Sequence, residues 1–299
     1  QSEVVGLRLD KYLVSQMPDY SRSRIQSWIR SSNVLVNGLN RKTGYALELN
    51  DIINVEPQEI VELNSNLIPE KMDLDIIFED EEIVIINKPA GLVVHPGTGN
   101  STGTLVNGLV DHFSSLSNLN GQIRPGIVHR LDENTSGIMV IAKTNLAHAN
   151  LADQFLNRQV KKKYTALTWG LWTENTGEID QPIARKKKDP TSYKVSEDGK
   201  SSITIYKVEK KFRHLSKVSF YPKTGRTHQI RVHMQSIGFP LVCDSLYGDG
   251  LPLYLSRLKP GYKISKYEES ERPLLNRLAL HAMELIFTDA DGKQITLQA

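Results

Sequence analysis

The sequence predicts an α+β fold: a small α/β module at the N-terminal end, followed by a larger domain on a mixed, mainly antiparallel sheet. Three observations predict it. β-Branched apolar runs that read as strands outnumber segments with helical periodicity. Those strands are not regularly separated by crossover helices, which argues against a doubly wound parallel sheet. A polar stretch at 63–72, with Pro69 and few periodic apolar positions, reads as a linker between residues 1–62 and 73–299.

In the first module, Leu7, Leu9, Leu13 and Val14 fall on one helical face with Lys11 off it. Ser23 and Gln26 fit a capping box ahead of Ile25, Trp28 and Ile29 at helical spacing. Val34-Leu35-Val36 runs into Asn37-Gly38, a strand entering a tight turn, and 51–55 reads as another short strand. In the larger domain, 82–87 and 138–142 are β-branched strands. Residues 145–157 are helical in period through Leu146, Ala149, Leu151, Ala152, Phe155 and Leu156. Residues 164–169 form a third strand, 203–208 and 217–221 a hairpin-related pair, 228–235 a helix, and 280–287 a late strand.

The bulk composition narrows the function classes. The 299 residues suit about two domains of roughly 150 each. No apolar run approaches the ~20 residues that span a bilayer, and Gln1-Ser2-Glu3 does not open a signal-peptide pattern. The single cysteine, Cys243, cannot form an internal disulfide, so a reducing, cytoplasmic setting is expected. The net charge of +3 announces no nucleic-acid partner, but its distribution does more. Between Tyr20 and Leu47 the charged residues are Arg22, Arg24, Arg30, Arg41 and Lys42, with no acid among them. Such a patch is either a solvated face or a surface that neutralises phosphates.

Several chemistries are set aside. Gly97-Thr98-Gly99-Asn100-Ser101-Thr102-Gly103 is misspaced for a dinucleotide fingerprint and lacks the later acidic residue. It reads better as a loop that caps the next helix. His228 and His233 are five apart with no glutamate beside them, so no metal is expected. Asp132 and Glu133 are adjacent and form no glycosidase-like pair, and there is no Gly-x-Ser-x-Gly elbow. What remains is Pro125 to Gly137, which places His129, Arg130, Asp132 and Glu133 between a glycine turn and a buried strand. A carboxylate there needs a partner, and an arginine from elsewhere would suit. Two readings stay open on physics alone: a structural ion pair, or an aspartate kept ionised for reaction.

Gly126–Gly137, with its His129-Arg130-Leu131-Asp132 core, resembles the active-site signature of the RluA family of pseudouridine synthases. Asn87-Lys88-Pro89-Ala90-Gly91 with His95-Pro96-Gly97, and Lys163-Tyr164-Thr165-Ala166, resemble its flanking motifs. So do Gly225-Arg226-Thr227-His228-Gln229-Ile230-Arg231-Val232-His233-Met234 and the later Gly238–Leu241, Asp244, Tyr247 and Gly248. His281-Ala282 also fits. The resemblance runs in order over about residues 73–290. Arg8 to Leu13, Ser23 to Gln26 and Val34 to Gly38 are similar to an S4 RNA-binding domain, and the layout is closest to the RluD type, which acts on large-subunit ribosomal RNA.

The resemblance implies a pseudouridine synthase fold and a cofactor-free, metal-free isomerase acting on RNA. It implies Asp132 as the catalytic carboxylate, Arg226 as its partner, and Tyr164 stacked on the target base. Arg130 would fill the space left by the flipped nucleotide. Arg22, Arg24, Arg30, Lys162 and Lys163 would hold RNA. A monomer is expected. The alternative is a non-catalytic RNA-binding ribosome-assembly factor. One departure is Cys243, where the family more often has glycine; a local packing adjustment is expected there.

Overall fold

The computed structural model describes residues 5–17, 20, 22–57, 67–97, 100–121, 123–264 and 270–299; of Ser23 and Arg24 it describes the backbone only. The first unit comprises α1 (Leu9–Gln16), α2 (Arg22–Arg30), β1 (Val34–Val36), β2 (Leu39–Asn40) and β3 (Ile53–Val55). The strands pair antiparallel in the order β2-β1-β3. Asn37 and Gly38 both take positive φ, 54° and 74°, as the two-residue turn between β1 and β2 requires. Leu9, Leu13, Ile25, Trp28, Ile29, Val34, Val36 and Leu47 form this unit's core.

Two details differ from expectation. Leu7 is exposed, and the buried polar residue of α1 is Asp10. Gln26 does not close a capping box: its side-chain amide donates to Asp10 Oδ2 at 2.6 Å. A buried carboxylate draws in every donor within reach. The side chains of Ser23 and Arg24 lie outside the described residues, as do 63–66 of the expected linker. Residues 67–72 run along the larger domain, where Glu70 N–H donates to the Asn107 carbonyl at 3.1 Å and Asn107 Nδ2 to the Ile68 carbonyl at 2.8 Å.

Then follow β4 (Ile76–Glu79), β5 (Ile83–Lys88), α3 (Leu105–His112), β6 (Ser136–Ala142), α4 (Asn145–Leu156), β7 (Lys161–Trp169), β8 (Thr176–Asp180), β9 (Ile183–Arg185) and β10 (Tyr193–Val195). The chain continues through β11 (Ile203–Lys211), β12 (Leu215–Pro222), α5 (Gln229–Ser236), α6 (Leu255–Leu258), β13 (Leu280–Thr288) and β14 (Gln294–Gln298). Nine described strands form one sheet, β4-β5-β6-β13-β7-β12-β11-β8, with β14 beside β13. The β6–β13 contact is parallel and every other pairing in the sheet is antiparallel. The α+β expectation holds.

The main core lies on β5 and β6, joined by Leu105 and Leu109 of α3, Leu151 of α4, and Leu285 and Phe287 of β13. β6 is buried at every position, which is why Gly-Ile-Met-Val-Ile-Ala reads as an unbroken apolar run. Gly137 is required where β6 meets β13: φ is 119°, and a Cβ would sit 2.2 Å from the Ala282 carbonyl oxygen. The start of β6 therefore presses directly on β13. Among the described residues, no helix is long and apolar enough to cross a membrane.

Candidate active site

The loop from Pro125 to Thr135 is pinned at both ends. Gly126 turns with φ 70°, and a Cβ there would lie 2.7 Å from Ile141. Beyond it, the His129 ring stacks on Phe155 with centroids 4.6 Å apart, and its Nε2 accepts from Val140 N–H at 3.1 Å. Burial, then the charge of Lys162, pushes His129 down to about 3, so the ring is neutral and can accept that bond. Leu131 is buried, which sends its neighbours Arg130 and Asp132 outward. Asp132 and Glu133 stand in a turn closed by Thr135 N–H on the Asp132 carbonyl at 3.1 Å, not in a strand.

Under this turn lies Lys88, fully buried at the end of β5. Its Nζ donates to the carbonyls of Pro89, Leu92 and Glu133 at 2.7, 2.8 and 2.9 Å. Burial lowers Lys88 to about 8, opposed by Asp132 and Glu133.

The facing wall is the start of α5. Gln229 organises it: its Oε1 accepts from Thr224 Oγ1 and Arg226 N–H, and its Nε2 donates to the Ile203 carbonyl and Thr204 Oγ1. His228 precedes the helix in the left-handed region, φ 56°. This corrects the expected partner of Asp132. Arg226 Nε donates to the Ser201 carbonyl at 3.2 Å, while Arg231, in the first turns of α5, places NH1 3.8 Å from Asp132 Oδ2. The physical reason is the left-handed turn at His228: before it, Arg226 is tied to the Ser201 carbonyl ahead of β11, and after it Arg231 turns toward Asp132. Arg231 is itself held in a buried two-pronged pair with Asp244, Nε and NH2 each 2.8 Å from one carboxylate oxygen. His228 Nε2 stands 3.9 Å from the same Asp132 Oδ2.

Tyr164 and Lys162 are two apart on β7, hence on one face of the sheet, and both line the cleft. Burial, then the nearby Asp132 charge, pushes the Tyr164 hydroxyl up, so it stays protonated. The cleft has a volume of about 550 Å³, within the roughly 300–1,000 Å³ of ordinary ligand sites. Arg130, Arg158, Lys162, Lys223, Arg226 and Arg231 line it, and Asp132 is the one carboxylate among its described lining residues. A second cleft of about 260 Å³ shares Arg130, Asp132 and His228.

The remaining expectations place differently. Arg22 is held by Asp10, NH2 to Oδ2 at 2.8 Å, and Arg30 is exposed with Nε on the Gln26 carbonyl. Lys163 is half-buried on β7, one position from the cleft-facing pair. His233 is not a ligand candidate: its Nδ1 meets Thr204 Oγ1 and its Nε2 the Gln181 carbonyl. Among the described residues, no group of three or more His, Cys, Asp or Glu side chains is placed to hold a metal ion. Cys243 adopts φ 60°, a left-handed backbone conformation that glycine takes without strain. Sequence reasoning assigned no role to Lys88, His129 or His228, although each stands inside a quoted motif.

A family model for RNA pseudouridylate synthases matches residues 82–236, which contain every side chain placed around Asp132 above except Asp244. The chain belongs to the RNA pseudouridylate synthase family. It is an isomerase of uridine in RNA, and an S4 domain model matches residues 7–53. An uncharacterised RNA pseudouridine synthase of Bacillus subtilis is 43% identical over 91% of this chain and 92% of its own length. The ribosomal large subunit pseudouridine synthase D of Escherichia coli is 40% identical over 94% of this chain and 82% of its own. Human RNA pseudouridylate synthase domain containing 1 is 26% identical, with TM-score 0.57, over 76% of this chain and 83% of that structure. The synthase fold and the S4 unit expected from sequence are thus present.

Proposed function

We propose that this synthase isomerises specific uridines in a stem–loop of large-subunit ribosomal RNA, with Asp132 as the reacting carboxylate. One observation carries the assignment of Asp132: a lone carboxylate in a cleft lined by six Arg and Lys side chains and a protonated tyrosine. The cations attract the phosphodiester backbone, and the single anion marks where the sugar reacts. The ribosomal target is supported by the names of the relatives.

The chemistry balances within the substrate. The N1–C1′ bond of uridine breaks, the base turns, C5–C1′ forms, the C5 proton leaves and N1 takes up a proton. Asp132 acts at the sugar and Arg231 balances its charge. Tyr164 stacks on the base. Arg226, on the cleft wall, contributes to backbone binding. Arg130 enters the space vacated by the flipped uridine, since a planar guanidinium stacks and binds phosphate. Lys162, Lys163, Arg22, Arg24 and Arg30 extend the backbone track. Residues 1–62 serve as the RNA-binding unit, 63–72 as the linker and 73–299 as the catalytic unit. The chain works as a cytoplasmic monomer without metal or cofactor.

The test is release of tritium from C5-labelled uridine in large-subunit ribosomal RNA by purified protein with nothing added. Release confined to a few sites is expected. Tight binding without release from that RNA, naked or in immature subunits, would overturn the reading.

A further inference from the structure

Two side chains make their nearest approach to Asp132 at the same oxygen: Arg231 NH1 and His228 Nε2 lie 3.8 and 3.9 Å from Oδ2. Whether His228 can donate depends on which ring nitrogen carries its proton, and the groups behind it decide that. Tyr247, 2% exposed, sits with its hydroxyl oxygen 2.8 Å from His228 Nδ1. That same oxygen accepts the backbone N–H of Tyr193 at 2.9 Å.

The hydroxyl's own proton therefore needs an acceptor in a buried place. Burial pushes Tyr247 up to about 12, so the proton is present at neutral pH. The one acceptor in hydrogen-bonding range among the described residues is His228 Nδ1. Burial also lowers His228, against the opposing charge of Asp132, which favours the neutral ring. A neutral imidazole that accepts at Nδ1 carries its proton on Nε2.

We infer that the Tyr193 amide and Tyr247 hydroxyl fix His228 as the Nε2–H tautomer, making it a positioning residue that donates to Asp132 Oδ2 and leaves Oδ1 as the reacting oxygen. The two donors on Oδ2 come from one short stretch, His228 at the left-handed turn and Arg231 three residues on. Gaps of 3.8–3.9 Å are longer than hydrogen bonds. They close when substrate fills the cleft and expels water, as catalytic contacts commonly do. The inference rests on Asp132 being the reacting carboxylate.

Two measurements test it together. The first is nitrogen NMR of isotope-labelled histidine in the whole protein, with the His228 signal identified by its loss in His228→Gln. The wild type is expected to show the Nε2–H pattern, and Tyr247→Phe a mixture of tautomers. An Nδ1–H pattern or a mixture in the wild type would overturn the inference, whatever the activity. The second is steady-state kinetics on a stem–loop substrate. His228→Ala should lower kcat about ten- to a hundredfold with KM unchanged, the loss expected for one hydrogen bond to a charged group. His228→Gln, which keeps a donor, should recover most of it, and Tyr247→Phe should lose less than His228→Ala. Full kcat in His228→Ala would sink the inference while Asp132→Asn remained inactive. Activity in Asp132→Asn would instead bring down the reading of Asp132 itself.

Discussion

Asp10 in the S4 unit and Asp132 in the synthase domain each face two basic side chains, at very different distances. Asp10 has no exposed side-chain surface, and Arg8, Arg22 and Gln26 bond it at 2.6–3.2 Å. Those bonds outweigh burial and hold its carboxyl well below the usual range. Asp132 keeps 20% of its side-chain surface, and its two neighbours stop at 3.8 and 3.9 Å. A carboxylate whose lone pairs are filled is structural. One that lies among cations yet keeps unbonded oxygens has room to meet an incoming group. Asp244, buried and doubly bonded by Arg231, shows both kinds meeting at one guanidinium: the saturated pair fixes the arginine, and the arginine's spare NH1 serves the unsaturated one.

The largest effect is expected where that guanidinium is removed. Arg231→Met strands the buried Asp244 and should cost about 3–5 kcal/mol of stability, read by chemical unfolding. An unchanged midpoint would mean that Asp244 is not the structural member of the trio.

A smaller effect comes from acid. Burial lowers His95 to about 4, His129 to about 3 and His148 to about 4. Below about 6.5 the unfolded chain binds protons that these folded rings refuse, so stability is present above that pH and lost as pH falls toward 4. Below the ordinary aspartate range the loss of Asp10's bonds adds to it. Thermal unfolding across pH 7 to 4 checks the slope. His148→Leu should flatten it, because both His148 ring nitrogens are buried without partners.

The smallest effect is expected at Arg226. With its Nε on a backbone carbonyl and no contact to Asp132, Arg226→Met should weaken RNA binding and leave kcat within about tenfold. A collapse of kcat in that variant would return Arg226 to the role the motif first suggested.

The pattern of what the sequence disclosed has physical causes. β5, β6, α4, β7, the β11–β12 pair, α5 and β13 were legible because each is long and carries period-2, period-3.6 or continuous apolar runs. β8, β9, β10 and β14 were not: they are three to five residues long, too short for a period of two to stand out. The motif singled out Asp132, and the structure sets it in the cleft. The arginine beside it was not legible, because Gly225 to Met234 holds two arginines five apart, and a single left-handed residue, His228, separates the one on the Ser201 carbonyl from the one that approaches Asp132. A histidine in that conformation leaves no mark in composition. Gln26 misled for a related reason. Its three-residue spacing from Ser23 suggested a local cap, whereas Asp10, sixteen residues away and desolvated, made the stronger demand.

The contrast between the two aspartates is most directly tested by measuring thermal stability and turnover for Asp10→Asn and Asp132→Asn side by side. Asp132→Asn should keep the wild-type melting profile and lose at least about a hundredfold in turnover on a stem–loop substrate. Asp10→Asn should lose about 2–3 kcal/mol from the S4 unit, with the synthase domain's own transition and turnover largely retained. A destabilised Asp132→Asn that still turned over, or an Asp10→Asn with unaltered melting, would contradict the account.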